Sequence, residues 1–371
     1  MINYSEKRVL HISSHHTWRG GEQQVSYLIQ GLRSFNCLQW VLCADGNAME
    51  AYCEQNGIPH YSYEKVFRKS FKNQRILKDI CERHNIDIIH VHDSHSHTLA
   101  FMAALFGNER PVVVSRRVDF PLKDNYFSKR KYNHPVIKKY ISVSHKIKEI
   151  LEEGVENKPI ISVVHSGIDP EKFNPNHIAG ILRKEFRIDP NKAIIGNVAA
   201  IADHKDYFTF VDTAELLIKK GLNVHFLIVG EGDLNDTIKK YISDKELQRH
   251  ITMTGFRNDI ASILPEFDVF LFTSKTEGLG TSILDAFACK VPVVTTNAGG
   301  IPEIVNNEFN GLMTEVGNSS ELADNVVRVL ENNDLRNTII NNALKSLQNF
   351  SVENMTNLTY GIYNEIFYNV D

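Results

Sequence analysis

Apolar residues along this chain come in short unbroken runs rather than in alternation with polar ones. One series runs Arg8–Ser13, Gln39–Cys43, Asp87–Val91, Pro111–Ser115, Tyr140–Val143 and Ile160–Val164. A second follows at Ala193–Val198, Asn223–Val229, Ile251–Thr254, Val269–Thr273 and Pro292–Thr295. Strands covered on both faces read this way, which predicts parallel sheets. Helical spacing fills the gaps, for example at Glu22–Gly31, Asp206–Lys220, Asp233–Ser243 and Ser282–Cys289. The βαβ alternation runs twice and predicts an α/β chain of two doubly wound, Rossmann-like domains.

Turn signals at Gly167, Asp169-Pro170 and Asn174-Pro175 place the linker near Gly167–Asn176. The domains are then 1–168 and 169–351. A last helix, Val352 to Tyr368, carries Met355, Leu358, Ile362 and Ile366 at helical spacing and needs a surface to cover them. The plain reading packs it on the second domain.

With 371 residues the chain is long enough for two cores. Its 42% apolar and 23% charged residues fit a soluble globular protein, and a net charge of −4 argues against nucleic-acid binding by charge. There is no run of 18 apolar residues, and the first ten residues do not read as a signal peptide. Five cysteines without a C-x-x-C pair fit reduced thiols. A cytoplasmic protein is expected, with at most peripheral contact with a membrane.

The chemistry sits where the runs end. After Val269–Thr273 come Glu277, Gly278, Leu279, Gly280, Thr281 and Ser282, and Asp285 stands eight residues past Glu277, about two helical turns. Two carboxylates flank a glycine-rich helix start, where free backbone N–H groups hold phosphate. That suits a ligand with hydroxyls at both ends and a diphosphate between them, as in a nucleotide-sugar. Lys205, after Ala193–Val198, supplies a point charge for the diphosphate. Gly230, Glu231 and Gly232 either admit a base or sugar or form a plain tight turn, and Arg257 is placed to lie over the base. Gly20 and Gly21 open a helix near the N-terminus. They are either a phosphate-holding turn or an ordinary strand-to-helix turn, and not a G-x-G-x-x-G fingerprint.

Four histidines stand between His90 and His97. His92 and His95 are candidates for acceptor contact or general-base work, with zinc as the alternative, although the spacing matches no common zinc signature. From Arg116 to Lys148 the chain carries ten Lys and Arg residues against Asp119 and Asp124. This stretch either faces an anionic acceptor or membrane surface, through Arg116 and Arg117 among others, or is a solvated helical face. No Asp-x-Asp occurs, so no metal or other cofactor is expected.

In order, Gly20-Gly21-Glu22, Ser166-Gly-Ile-Asp169, His204-Lys205, Val229-Gly-Glu-Gly232, Thr254-Gly-Phe256, Thr276-Glu-Gly-Leu-Gly280 and Ala298-Gly-Gly-Ile-Pro-Glu303 resemble the retaining glycosyltransferases of family 4, which have the GT-B fold. The resemblance implies two Rossmann-like domains facing a cleft, with the final helix 352–371 crossing back to the first. It also implies transfer of a sugar from a nucleoside-diphosphate sugar to an acceptor hydroxyl without a metal. UDP-sugars come first, GDP- and ADP-sugars are alternatives, and an anionic or lipid-linked acceptor in envelope polysaccharide synthesis is the expectation. Glu277 and Lys205 would be catalytic, and His92 or His95 would substitute for a His that the family commonly carries elsewhere. Glu277 would touch the donor sugar, Asp285 the ribose, and Gly278 to Ser282 with Lys205 the diphosphate. The sequence departs from the family at Asp285, where Glu is usual. It departs also at Ala199, where Arg is common, and at Arg116 and Arg117, where a His is common. A nucleotide-sugar epimerase and a non-catalytic binder are the competing readings.

Overall fold

The computed structural model describes residues 6–64, 71–173 and 180–368. The chain divides into two compact units, 1–167 with 352–371 and 168–351. Part of the expected linker, 174–176, lies outside the described residues.

The first unit holds β1 (Lys7–Ser13), β2 (Cys37–Ala44), β3 (His60–Tyr63), β4 (Ile88–Val91), β5 (Val112–Arg116), β6 (Ile137–Ser142) and β7 (Ile161–Val163). Their order is β3-β2-β1-β4-β5-β6-β7, every neighbour parallel. The second holds β8 (Ala193–Val198), β9 (Val224–Val229), β10 (Ile251–Gly255), β11 (Val269–Phe272), β12 (Val293–Thr296) and β13 (Leu312–Thr314). Its order is β10-β9-β8-β11-β12-β13, again parallel throughout. In each sheet the winding reverses beside the first strand, between β1 and β4 and between β8 and β11. Open α/β sheets keep their ligand crevices at such reversals, outside the carboxyl ends of the strands.

Unbroken apolar runs were the right signal because these strands are covered on both faces: all of β9 and all of β11 are buried. Phe226 and Ile228 of β9 share a core with Phe210, Val211 and Leu217 of helix Tyr207–Lys219 and with Leu322, Val326 and Val329 of helix Ser319–Glu331. Two strands gave no such signal. β3 reads His-Tyr-Ser-Tyr at a sheet edge with one buried residue, and β13 has only three residues.

Helix Val352–Tyr368 belongs to the first unit. Met355, Ile362, Tyr363 and Ile366 join Val9, Tyr27, Leu28, Ile88, Val113 and Val164 in one core, while Leu358 stays 47% exposed. The helix crosses helix Gly20–Gly31 so closely that a Cβ on Gly31 would overlap the Thr356 side chain. Ile362→Ala should therefore loosen the first unit by about 2–5 kcal/mol, the usual cost of emptying a buried branched side chain. Hydrogen exchange should show the loss at β1 and β4 amides. Unchanged protection there would contradict this packing.

Candidate active site

The second unit brings five strand-end loops into one laced rim. Gly230, just past β9, donates its N–H to Gly255 O at 3.0 Å at the end of β10. Its φ is +142°, and a Cβ there would overlap the Ala199 carbonyl in the loop after β8. Ile201 N in that loop donates to Glu231 O at 3.0 Å. The loop after β8 is tied to the loop after β11 by Lys275 N to His204 O at 2.8 Å and Thr273 Oγ1 to Asp206 O at 3.0 Å. The loop after β12 then closes on β11's: Thr296 Oγ1 donates to Ser274 O at 2.6 Å and Gly300 N to Glu277 O at 2.8 Å. Gly299, at φ +53°, leaves room for the Glu277 backbone that any side chain would occupy.

Lys205 and Glu277 meet across the reversal between β8 and β11. Lys205 Nζ is paired with Glu277 Oε2, and both side chains are largely sheltered, 13% and 15% exposed. Ser274 Oγ donates to the same carboxylate at 3.3 Å, and Lys205 Nζ lies 5.0 Å from the Phe272 ring centre. Behind Glu277, Gly278, Leu279 and Gly280 are buried, and Gly280 turns into helix Thr281–Ala288 at φ +90°. No side chain caps this helix, so the N–H groups at Thr281 and Ser282 form a positive helix start beside the Lys205–Glu277 pair.

Asp285, on that helix, is partly buried. Burial pushes its carboxyl up to about 7, with Lys172 pulling the other way. Glu231 is exposed and reaches over Gly255. Arg257 narrows an expectation. Its guanidinium edge is held by Asp259 at 2.7 Å and by Glu185 at 2.8 Å, which leaves only its face for a base.

At the reversal between β1 and β4, the first unit gathers a second group. Gly20 and Gly21 start helix Gly20–Gly31, and a Cβ on Gly21 would meet Arg117 Cδ at 4.0 Å and nothing nearer among the described residues. Glu22 is buried and accepts from Arg19 N at 3.1 Å, and burial raises its carboxyl. Burial also draws the Arg117 guanidinium down to about 10, with Glu22 opposing. Asp93 ties the loops together by accepting from Ser14 N at 2.7 Å and Ser96 N at 2.9 Å.

Of the histidines, His92 is buried and His95 is exposed. His97 is buried among Tyr132 and Tyr140, at ring distances of 4.9 and 6.2 Å. The constellation is not the 90–97 run but His90 and His92 with His11 of β1, each offering one ring nitrogen within 4.8 Å of the other two. His11 was missed because it stands inside the apolar run of β1 and reads as core. Its register partner on β4 is His90, a pairing that needs the sheet to be visible.

Arg116 corrects an expectation. It is buried, and its guanidinium donates to Tyr132 Oη at 2.9 Å and to Phe120 O, turned inward rather than toward an acceptor. The basic stretch is largely partnered. Lys129 pairs with Asp124 at 2.7 Å, Lys139 with Glu365 at 2.6 Å, Lys146 with Glu149 at 2.9 Å and Lys148 with Glu152 at 3.8 Å, while Lys131 is buried. Three of those carboxylates lie outside the stretch, which is why its sequence looked unopposed.

Two family models match the chain in succession. The one described as Glycosyltransferase Family 4 matches residues 18–172, and the one described as Glycosyl transferases group 1 matches 180–346. The UDP-Gal:alpha-D-GlcNAc-diphosphoundecaprenol alpha-1,3-galactosyltransferase of Escherichia coli is 29% identical over 74% of this chain and 76% of its own. The N-acetyl-alpha-D-glucosaminyl L-malate synthase of Bacillus anthracis is 25% identical over 79% and 77%. Among solved structures, a glycosyltransferase from Rickettsia africae superposes with TM-score 0.85 at 22% identity, covering 99% of this chain and 100% of that one. HepE of Anabaena, solved with UDP and glucose, superposes with TM-score 0.84 at 21% identity, covering 97% and 100%. No described helix is long and apolar enough to cross a membrane.

The carboxyl of Asp285 yields a test that needs no ligand. An acid whose folded value is raised from 3.8 to about 7 costs stability as pH climbs between those values, because the unfolded chain gives up the proton first. Asp285→Asn removes that cost. The melting temperature of the variant relative to the parent should rise from pH 5 to pH 8. An offset independent of pH would contradict the burial of this group.

Proposed function

The chain belongs to the family 4 glycosyltransferases of the GT-B fold, and from that premise we propose that it moves a sugar from a nucleoside-diphosphate sugar, foremost a UDP-sugar, to an acceptor hydroxyl with retention at the anomeric carbon. The observation that carries this reading is the sheltered Lys205–Glu277 pair beside an uncapped helix start at the reversal of the second sheet. A diphosphate seated on the N–H groups of Thr281 and Ser282 takes over Lys205 as its counter-ion. Glu277 is then released to accept from hydroxyls of the transferred sugar, and Asp285 accepts from the ribose. As the bond to the leaving diphosphate breaks, charge accumulates where Lys205 and the helix start lie, and both are in place before the reaction. Helix dipole and lysine supply this neutralisation without a metal.

On the acceptor side we assign Gly20 and Gly21 to close approach of the substrate, Arg117 to an anionic group, and His92 to the attacking hydroxyl. The lipid-diphosphate acceptor in the name of the Escherichia coli relative supports an anionic, lipid-linked acceptor, and with it a place at a membrane surface in envelope polysaccharide synthesis.

Titration calorimetry with UDP-, GDP- and ADP-sugars, followed by NMR of the product anomer, tests the reading. A UDP-sugar should bind, and an α-linked donor should give an α-linked product. Failure of all three donors to bind, or an inverted product, would overturn it. Lys205→Ala and Glu277→Gln should each lower kcat by about 10²–10³-fold, the range for removing one preorganised electrostatic contact. Losses below threefold would remove the pair from the chemistry.

A further inference from the structure

A file of buried side chains in the first unit has its protons assigned from one end. The file starts at the Ile29 carbonyl of helix Gly20–Gly31, which can only accept. Gln39 Nε2 donates to it at 3.1 Å, and this fixes which way the amide faces. Gln39 Oε1 is then the atom 3.2 Å from His11 Nε2, so that nitrogen carries the proton. Burial holds the His11 imidazole down at about 4, neutral at ordinary pH, and a neutral ring protonated at Nε2 has a bare Nδ1. His92 Nε2 lies 3.0 Å from that Nδ1 and must donate to it. His92 is kept neutral by burial and by His90, His11 and Arg117 around it, so its own Nδ1 has no proton.

His92 Nδ1 is buried and makes no hydrogen bond, and neither does the equally buried Arg117 Nε. One is an acceptor and the other a donor, and the charge of Arg117 is felt at His92. A hydroxyl has the matching pair of functions, an oxygen that accepts from an N–H such as Arg117 Nε–H and a hydrogen that goes to a bare nitrogen such as His92 Nδ1. His90 stands outside the file, its two nitrogens taken by Tyr363 Oη at 2.5 Å and Ser115 Oγ at 2.8 Å. His11 Nδ1 and His92 Nε2 lie 3.0 Å apart across a shared proton, which a cation held by the three imidazoles would have to displace.

We propose that His11 is a positioning residue that locks His92 in its Nε2–H tautomer, so that His92 Nδ1 and Arg117 Nε–H together hold the acceptor hydroxyl. The tautomer rests on the hydrogen-bond geometry and on the neutrality that burial imposes, and only the identity of the hydroxyl rests on the transferase reading.

The test begins with the full chain labelled with 15N-histidine, assigned by single-site variants, and read at pH 7 by long-range 1H–15N correlation before and after one equivalent of Zn²⁺. His11 and His92 should both appear neutral and protonated at Nε2, with no change on adding zinc. A His92 protonated at Nδ1 or at both nitrogens, or zinc-shifted His11 and His92 signals, would overturn the proposal. The kinetic arm compares His11→Leu, which removes the acceptor for His92, with His11→Asn, whose Oδ1 replaces Nδ1 as acceptor. His11→Leu should lower kcat about 10²-fold with donor KM unchanged, and His11→Asn should recover most of it. Gln39→Leu, which frees His11 to change tautomer, should fall in the same direction and serves if His11→Leu does not fold. Equal losses in the Leu and Asn variants would also overturn it. Absence of any transfer by the parent chain would instead count against the proposed function and leave the NMR result standing.

Discussion

A sheltered charge pair at the seam between β8 and β11 organises the rim of the second unit. Neither Lys205 nor Glu277 is surrounded by water, and losing either one leaves the other as an uncompensated charge in a poorly hydrated place. The backbone is built around this pair. Thr273 and Thr296 spend their hydroxyls on carbonyls of the adjoining loops, and Gly299 gives up a side chain so that the Glu277 backbone can close against it. Stiff loops of this kind hold charges where they are needed before a substrate arrives, which is the condition for electrostatic stabilisation without reorganisation. On the proposed reading, Glu277 is the counter-ion of Lys205 until a phosphate competes for it.

The first unit solves a related problem with hydrogen bonds. Its reversal, between β1 and β4, is lined by three imidazoles that burial holds neutral, those of His11, His90 and His92. Direction in such a setting comes from tautomers and amide orientation, and these follow from which partner can only accept. Helix Gly20–Gly31 serves this arrangement twice, through its glycine start and through the Ile29 carbonyl that orients Gln39.

The fold was legible because parallel strands covered on both faces must be continuously apolar, as in Val269–Phe272. Where that condition lapses the reading fails, at the polar edge strand His60–Tyr63 and the three-residue Leu312–Thr314. The candidate site was legible where chemistry is local in sequence, in the Glu277–Ser282 turn and Asp285 eight residues after Glu277. It was not legible where chemistry depends on distant partners. Glu185, which with Asp259 occupies Arg257, is 72 residues away. Arg116 and Arg117 are neighbours, yet one ends a strand pointing inward and the other opens the loop beside Gly21. His11 and His90 become a pair only once β1 lies beside β4.

A crystal structure of the chain with an intact UDP-sugar is the most direct measurement of the central claim. It should show the diphosphate on the N–H groups of Thr281 and Ser282, with Lys205 Nζ moved from Glu277 to a phosphate oxygen and Glu277 on the sugar. A nucleotide seated elsewhere, or a Lys205 still paired with Glu277 beside a bound diphosphate, would contradict it.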